Sequence, residues 1–407
     1  MDDLTDAIHE LDARLGRYPP GRYPIQHATA RFHLGVALAN AGRTREARES
    51  LQEAARLFES HNLAIEHAKT LNALGVVLRD DRDLNGAAGA FECAAEVFES
   101  ADLPLEQGAA LFNLGLAYRD AGDNDAAVMS LTCSKDLLDP RRVPGQAAAA
   151  ARELGATRLT MGDINGAVVA LEEAVAFAGT SSDQVALGSA SNVVGLAYLA
   201  VDRIDDAVVA FKSAAGAHPR TVRPDGFAMA KANLALAYER AGEPVRARLA
   251  ARQALSTDAP PPVRAQATAV LERLGDPYGD LARGLENEHV ELWPALFREE
   301  LVFWLEADGN RREREVSAWI DDQSARPDGI ERAEAWLGAL LELPPAEMEE
   351  VIESTIRVVS KKEEAIAQPF RSQTSRAMAR FHVPQWMRLK DTFNRVAEKL
   401  GHERSWG

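Results

Sequence analysis

The residues of this chain best suited to redox or metal chemistry are two cysteines and nine histidines. Two thiols make neither a disulfide framework nor a four-ligand zinc set. Cys93 and Cys133 lie 40 residues apart, at equivalent points of what helical spacing makes neighbouring helices. Such helices stack about 8–10 Å apart, beyond the Cα separation a disulfide tolerates, so both are expected to be free thiols. His27 and His67 are also 40 apart, whereas His61 and His67, six apart, do not share a helical face. No glycine-rich phosphate loop, GxSxG elbow or HExxH pair is present. With no catalytic set to assemble, the chain is expected to be non-enzymatic and to carry no metal and no cofactor.

The interval of 40 governs the elements that would position any functional side chain. From residue 28 to 259 one column holds Gly35, Gly75, Gly115, Gly155, Gly195 and Ala235, and another Ala47, Ala87, Ala127, Ala167, Ala207 and Ala247. Beside them run Leu34, Leu74, Leu114, Leu154, Val194 and Leu234, then Leu51, Phe91, Leu131, Leu171, Phe211 and Ala251. Spacings of three and four, as in Leu114 with Tyr118 or Ala127 with Leu131 and Ser134, give two helices per row. Gly42, Gly122, Gly162 and Gly242 suit the left-handed residue that ends the first helix. Arg82 and Asp202 replace it in two rows, which are therefore expected to be less regular. Asp83, Asp123 and Asp163 suit the cap of the second helix, and Pro244 its first position. Tiny residues at a fixed interval let two antiparallel helices approach closely while their large neighbours fill the space beside them.

The order Leu, Gly, Tyr, Ala, Leu or Phe, Ala at these separations resembles the tetratricopeptide repeat, in a version with a 40-residue period. The resemblance spans six repeats, residues 28–259. Residues 1–27 supply an N-terminal capping helix in which Ala7 and Leu11 keep the register. Residues 260–286 supply a C-terminal capping helix, with Leu274 and Gly275 in the register of a first helix. The implied fold class is all-α: a right-handed superhelical solenoid followed by a smaller all-helical C-terminal module, residues 287–407. The resemblance also implies a concave peptide-binding groove lined by first helices, three residues before and one and four after the small residue. Those positions give Phe32, Asn72, Phe112, Arg152 and Asn192; Val76, Leu116 and Leu196; Arg79 and Arg119. Asn72 and Asn192 suit the backbone of an extended peptide, because an amide donates and accepts at once. The three arginines suit a carboxylate, unless they pair with Asp80, Asp120 or a neighbouring repeat.

The function so implied is a protein–protein interaction scaffold or adaptor holding a peptide or helix. A second reading is a peptide-sensing regulator, although the 27 residues before the repeats are too few for a helix-turn-helix domain. A third is an accessory subunit of an enzyme complex acting through the C-terminal module. The segment "FHVPQWMRLKDTFNRVAEKLG" is similar to the tails of accessory subunits of bacterial polyester synthases, which motivates that third reading.

With 46 basic and 62 acidic residues, net −16, the chain is expected not to bind nucleic acid. No apolar run approaches the roughly 20 residues that span a bilayer, and "MDDLTDAIHELDARLG" is acidic where a secretory signal is basic and then apolar, so a cytoplasmic location is expected. All six tryptophans fall between Trp293 and Trp406, and Trp293, Phe297, Leu301 and Trp304 share one helical face, as core residues do. From Arg357 to Gly407 there are 11 basic and 5 acidic residues, +6 against −22 for the rest. That split predicts that residues 361–407 dock on the acidic repeats or on a second partner. Pro369 and Pro384 are expected to break this tail into short pieces. Leu389, Phe393, Val396 and Leu400 form an apolar seam too short to stand alone.

Overall fold

Small residues set the geometry of the amino-terminal part. The computed structural model describes residues 2–403 and Trp406, and every regular element among them is helical. The chain divides into two compact units, Met1–Asp202 and Arg203–Gly407. In the first, α1 (Asp2–Arg17) precedes the pairs α2 (Pro24–Asn40) and α3 (Thr44–Ser60), α4 (Ala64–Asp80) and α5 (Leu84–Ser100), α6 (Pro104–Ala121) and α7 (Asn124–Leu137), and α8 (Pro144–Thr160) and α9 (Ile164–Gly179); α10 (Gln184–Ala200) closes it. Ala47, Ala87, Ala127 and Ala167 are fully buried, as are Leu51, Phe91, Leu131 and Leu171.

The glycine column lies where each second helix crosses its first. A Cβ on Gly35 would stand 2.5 Å from Leu51 Cγ, one on Gly75 2.6 Å from the Phe91 ring, and one on Gly115 2.6 Å from Leu131 Cγ; Gly155 meets Leu171 in the same way. Such distances leave no room for a methyl group, so the large residue of one helix occupies the space the glycine vacates.

The turns follow the same period. Gly42, Gly122 and Gly162 have φ of 72°, 85° and 82°, while Arg82 and Asp202 hold the same left-handed conformation at 63° and 61°. The row with Arg82 is as regular as the others: Asp83 N–H donates to Leu78 O at 2.9 Å, just as Asp123 N–H donates to Tyr118 O at 2.9 Å after Gly122. A non-glycine residue in this region costs about 1–2 kcal/mol, which the packing of the two flanking helices offsets. Asp83, Asp123 and Asp163 cap α5, α7 and α9 by accepting from the backbone N–H of Gly86, Ala126 and Gly166.

The second unit begins with α11 (Ile204–Ala217), the pair α12 (Pro224–Arg240) and α13 (Pro244–Leu255), and α14 (Pro261–Leu274). Gly275 keeps the register of the crossing glycines but does not lie at a crossing. It ends α14 with φ 70°, one residue before Asp276, where the ring of Pro277 disfavours helix. After α15 (Asp280–Asn287) and a short 3-10 turn, Val290–Leu292, come α16 (Trp293–Glu306), α17 (Gly309–Ala325), α18 (Gly329–Glu342), α19 (Pro345–Val359), α20 (Glu364–Met378) and α21 (Val383–Lys399). They stack in two rows, α16 on α18 on α20 and α17 on α19 on α21. Phe297 meets Trp319 edge-on at 5.0 Å, and Trp336 meets Phe393 edge-on at 6.0 Å. Trp304, Trp319 and Trp336 are at most 1% exposed. The tryptophan stripe is core.

Basic residues of the tail pair with acids inside its own module. Lys361 pairs with Glu313, Lys362 with Asp321, Arg380 with Glu331 and Glu334, Arg395 with Glu349 and Lys399 with Glu353. The apolar seam of α21 buries Leu389, Phe393 and Val396 in the packing against α19, the partner helix its length required. Pro369 does not break the tail. It is the sixth residue of α20, so only one backbone bond near the helix start is lost, and the buried face of Ala367, Phe370, Thr374 and Ala377 keeps the helix together.

A buried ionic cluster joins α13 to α15 and α17. Arg248 grips Asp280 with two bonds of 2.7 and 2.8 Å; Arg252 reaches Asp280 at 3.0 Å and Asp276 at 2.7 Å. Arg311 meets Asp276 at 2.7 Å and Glu315 at 3.1 Å. Glu300 on α16 lies beside Arg252, fully buried, with Oε1 unpaired among the described residues. Burial pushes its carboxyl up to about 7; Arg252 opposes the shift, and Glu315 and Asp280 reinforce it.

Two predictions follow from these contacts. Gly115→Val should destabilise the protein by about 1–3 kcal/mol through overpacking, whereas Gly89→Ala, where a Cβ meets nothing, should stabilise it by about 0.5–1 kcal/mol. Urea unfolding followed by circular dichroism distinguishes them, and equal midpoints for the two variants would contradict the crossing. Glu300 keeps its proton in the folded protein where the unfolded chain has lost it, so its contribution to stability declines as pH rises from about 4.5 to about 7. The stability of Glu300→Gln relative to wild type should therefore rise between pH 5 and pH 8, by up to about 3 kcal/mol; a difference constant with pH would refute the assignment.

Candidate functional site

Consecutive first helices of the unit Met1–Asp202 touch one another, α2 with α4, α4 with α6, α6 with α8 and α8 with α10. This contact makes the first helices a continuous row, called the inner row below, and each second helix packs on its own first helix and on the next one. All ten residues assigned to a groove by the sequence lie on this row. Phe32, Asn72, Val76, Arg79, Phe112, Leu116, Arg119 and Arg152 are half-buried, Asn192 is buried and Leu196 is 40% exposed. The face is therefore neither core nor fully solvated surface.

The polar members are engaged with neighbouring repeats. Asn72 Oδ1 accepts from Asn113 Nδ2 at 3.0 Å. Arg79 Nε lies 3.7 Å from Asp120 on the next first helix. Arg119 forms a short ion pair with Glu153 of the following repeat, and Arg152 donates to the same carboxylate at 2.6 Å. The three arginines thus form a ladder of ion pairs along the row, with Asp120 and Glu153 as its acids. Phe32 stacks edge-on with His33 at 5.2 Å.

Sequence reasoning missed Asn113 and Glu153, which stand two residues before the crossing glycine. A signal for them exists in the unit Arg203–Gly407, where the same two positions bond again with the charges exchanged. There Glu239, four after Ala235, accepts from Arg273, two before Gly275, at 2.6 and 2.7 Å; Asn233 also accepts from Gln266 at 2.8 Å, at other positions of the period than Asn72 and Asn113. The hydrogen bond from Arg273 holds the Glu239 carboxyl below its usual range, against a weaker opposing effect of burial. The periodic pairing of these positions is a staple between consecutive first helices. Between the staples, Val36, Val76 and Leu116 present apolar side chains.

Elsewhere the chemistry is sparse. Cys93 and Cys133 are free and exposed. Among the described residues no group of three or more His, Cys, Asp or Glu is placed to hold a metal ion, and no helix is long and apolar enough to cross a membrane.

Antiparallel helix pairs repeated every 40 residues, with a half-exposed inner row, define an all-α repeat solenoid. A family model described as tetratricopeptide repeat matches residues 1–62, 72–131 and 195–262, somewhat less than half of the chain. Tetratricopeptide repeats serve in general as protein–protein interaction scaffolds. The C-terminal module lies outside the matched residues. No curated protein matches the chain. Among solved structures, the chain is similar to BtubC from P. vanneervenii, with 15% identity, TM-score 0.45, and coverage of 53% of this chain and 88% of that one. It is also similar to the TPR-like repeats of a putative kinesin light chain from Podosopora anserina, with 18% identity, TM-score 0.39, and coverage of 51% and 97%. A third is the C-terminal part of a TPR repeat-containing protein from Cytophaga hutchinsonii, with 12% identity, TM-score 0.40, and coverage of 82% and 98%.

Because Glu153 retains Arg152 when Arg119 is removed, and the pair is partly solvated, Arg119→Ala should change stability by less than about 1 kcal/mol. Chemical denaturation monitored by circular dichroism measures this, and a larger loss would make the ladder a principal support of the array.

Proposed function

We propose that the protein is a non-enzymatic adaptor that holds an extended peptide or a helix of a partner protein along the inner row of first helices. The observation that carries this reading is the half-exposed stripe in which Val36, Val76 and Leu116 recur at one position after each crossing glycine. An apolar side chain left half in water on three consecutive repeats gains by being covered, at about 25 cal/mol per Å² removed from solvent. The flanking ladder of arginines and carboxylates supplies the polar rim, with donors and acceptors that can re-pair with a peptide backbone or its charged side chains. Since a neutral contact adds only about 1 kcal/mol, micromolar affinity at about −8 kcal/mol requires several repeats to act together. The free, exposed thiols of Cys93 and Cys133 suit a reducing compartment, and the reading places the adaptor in the cytoplasm.

The test is selection of peptides from a displayed random library on the full chain, followed by affinity measurement on Val76→Arg/Leu116→Arg. Arginine stems can lie along the row and keep their charge in water, so the double variant should retain the helical circular dichroism of the wild type. The selected peptides are expected to bind wild type with micromolar Kd and the variant at least tenfold more weakly. Equal binding to both proteins would remove the inner row from the site.

A further inference from the structure

A cavity of about 330 Å³ lies within the unit Arg203–Gly407, between α11, α12 and α13 on one side and α15, the 3-10 turn and α16 on the other. Its walls are mostly carbon: Phe227, Leu234, Leu249, Ala250 and Leu296 form them, and Leu292 at the rim is 49% exposed. At one side of the cavity α15 crosses α13 closely at Gly284, where a Cβ would stand 2.5 Å from Leu249 Cδ1. An apolar space of ~150 Å³ holds a benzene molecule, so this one has room for a body of about ten carbons. Pockets of this size and lining, with a few convergent polar groups, are typical small-molecule sites.

The polar groups select the charge of the occupant. Lys231 is bound to Glu299 at 3.1 Å and Arg246 to Glu288 at 3.4 Å and Glu243 at 2.8 Å, so every carboxylate on the wall already has a cation. Lys212 differs. Its ammonium lies 5.8 Å from the centroid of the Tyr238 ring, within cation–π reach. Tyr238 is buried, and its hydroxyl stays protonated because burial disfavours the phenolate more than the nearby Lys212 charge favours it. An ammonium and a neutral phenol side by side at the edge of an apolar cavity offer two donors to one anionic group, the arrangement that gives the strongest hydrogen bonds. A cationic ligand would meet Lys212, Lys231 and Arg246 instead.

We propose that this cavity binds a carboxylate with an apolar body of about ten carbons, its chain among Phe227, Leu234, Leu249 and Leu296 and its carboxylate on Lys212 and Tyr238. Such a ligand satisfies the two donors and removes the exposed Leu292 and the cavity wall from water. The residues involved are distinct from the ten of the inner row.

Isothermal titration of the full-length protein with decanoate, decanol and decyltrimethylammonium tests the assignment. Decanoate is expected to bind saturably with one site per chain, at least tenfold more tightly than either of the other two. Lys212→Glu, an exposed rim change, should weaken decanoate at least tenfold and leave decanol within about threefold. Ala295→Trp, which fills the cavity from α16, should abolish decanoate binding; Ala215→Phe fills it from α11 and replaces that variant if its circular dichroism shows unfolding. Absence of saturable decanoate binding, equal binding of the cationic probe, or indifference to Lys212→Glu would each overturn the proposal.

Discussion

The contact between a glycine on a first helix and a leucine or phenylalanine on the second is the constraint from which the array follows. At Gly35, Gly75 and Gly115 the approach is so close that no side chain fits, and the opposing Leu51, Phe91 and Leu131 are wholly buried as a result. Each pair is therefore locked at one crossing distance. The next pair must use the same geometry because its residues repeat at the same interval. A solenoid built this way needs no large central core, which is how a chain whose repeats contain no tryptophan still buries its interior.

Locking the pairs leaves the first helices in mutual contact and determines which side chains remain half in water. The ladder from Arg79 through Asp120 and Arg119 to Glu153 fills part of that row with charges that neutralise one another. On the reading proposed above, the arginines are held in place before a partner arrives, which lowers the entropy lost on binding, and a partner's carboxylate would have to displace Asp120 or Glu153 to reach them.

The carboxyl-terminal module uses a different means of cohesion. Tryptophan and phenylalanine side chains fill it, and Arg311 of α17 ties it to Asp276, which the buried Arg252 of α13 also holds. Burying so many charges is tolerable only because each arginine finds a carboxylate, and Glu300, whose Oε1 lacks a partner, is the group whose protonation adjusts. The apolar cavity lies at the same junction, where Gly284 lets α15 approach α13 closely.

The sequence alone determined the helices, their pairing and the crossing residues, because a period of 40 with Gly and Ala in fixed columns admits one packing, and Asp83, Asp123 and Asp163 mark their own caps. It also placed the ten residues proposed for the inner row on first helices. Tertiary structure decided what those residues touch. Whether Arg119 meets solvent or Glu153 depends on the rotation between one helix pair and the next, which no spacing encodes. It also decided that the basic tail is neutralised by α17, α18 and α19, since charge totals show an imbalance but not which surfaces meet. Pro369 remained within a helix for a related reason: the cost of one missing backbone bond is local, whereas the burial of Phe370 and Ala377 that offsets it exists only once the neighbouring helices are in place.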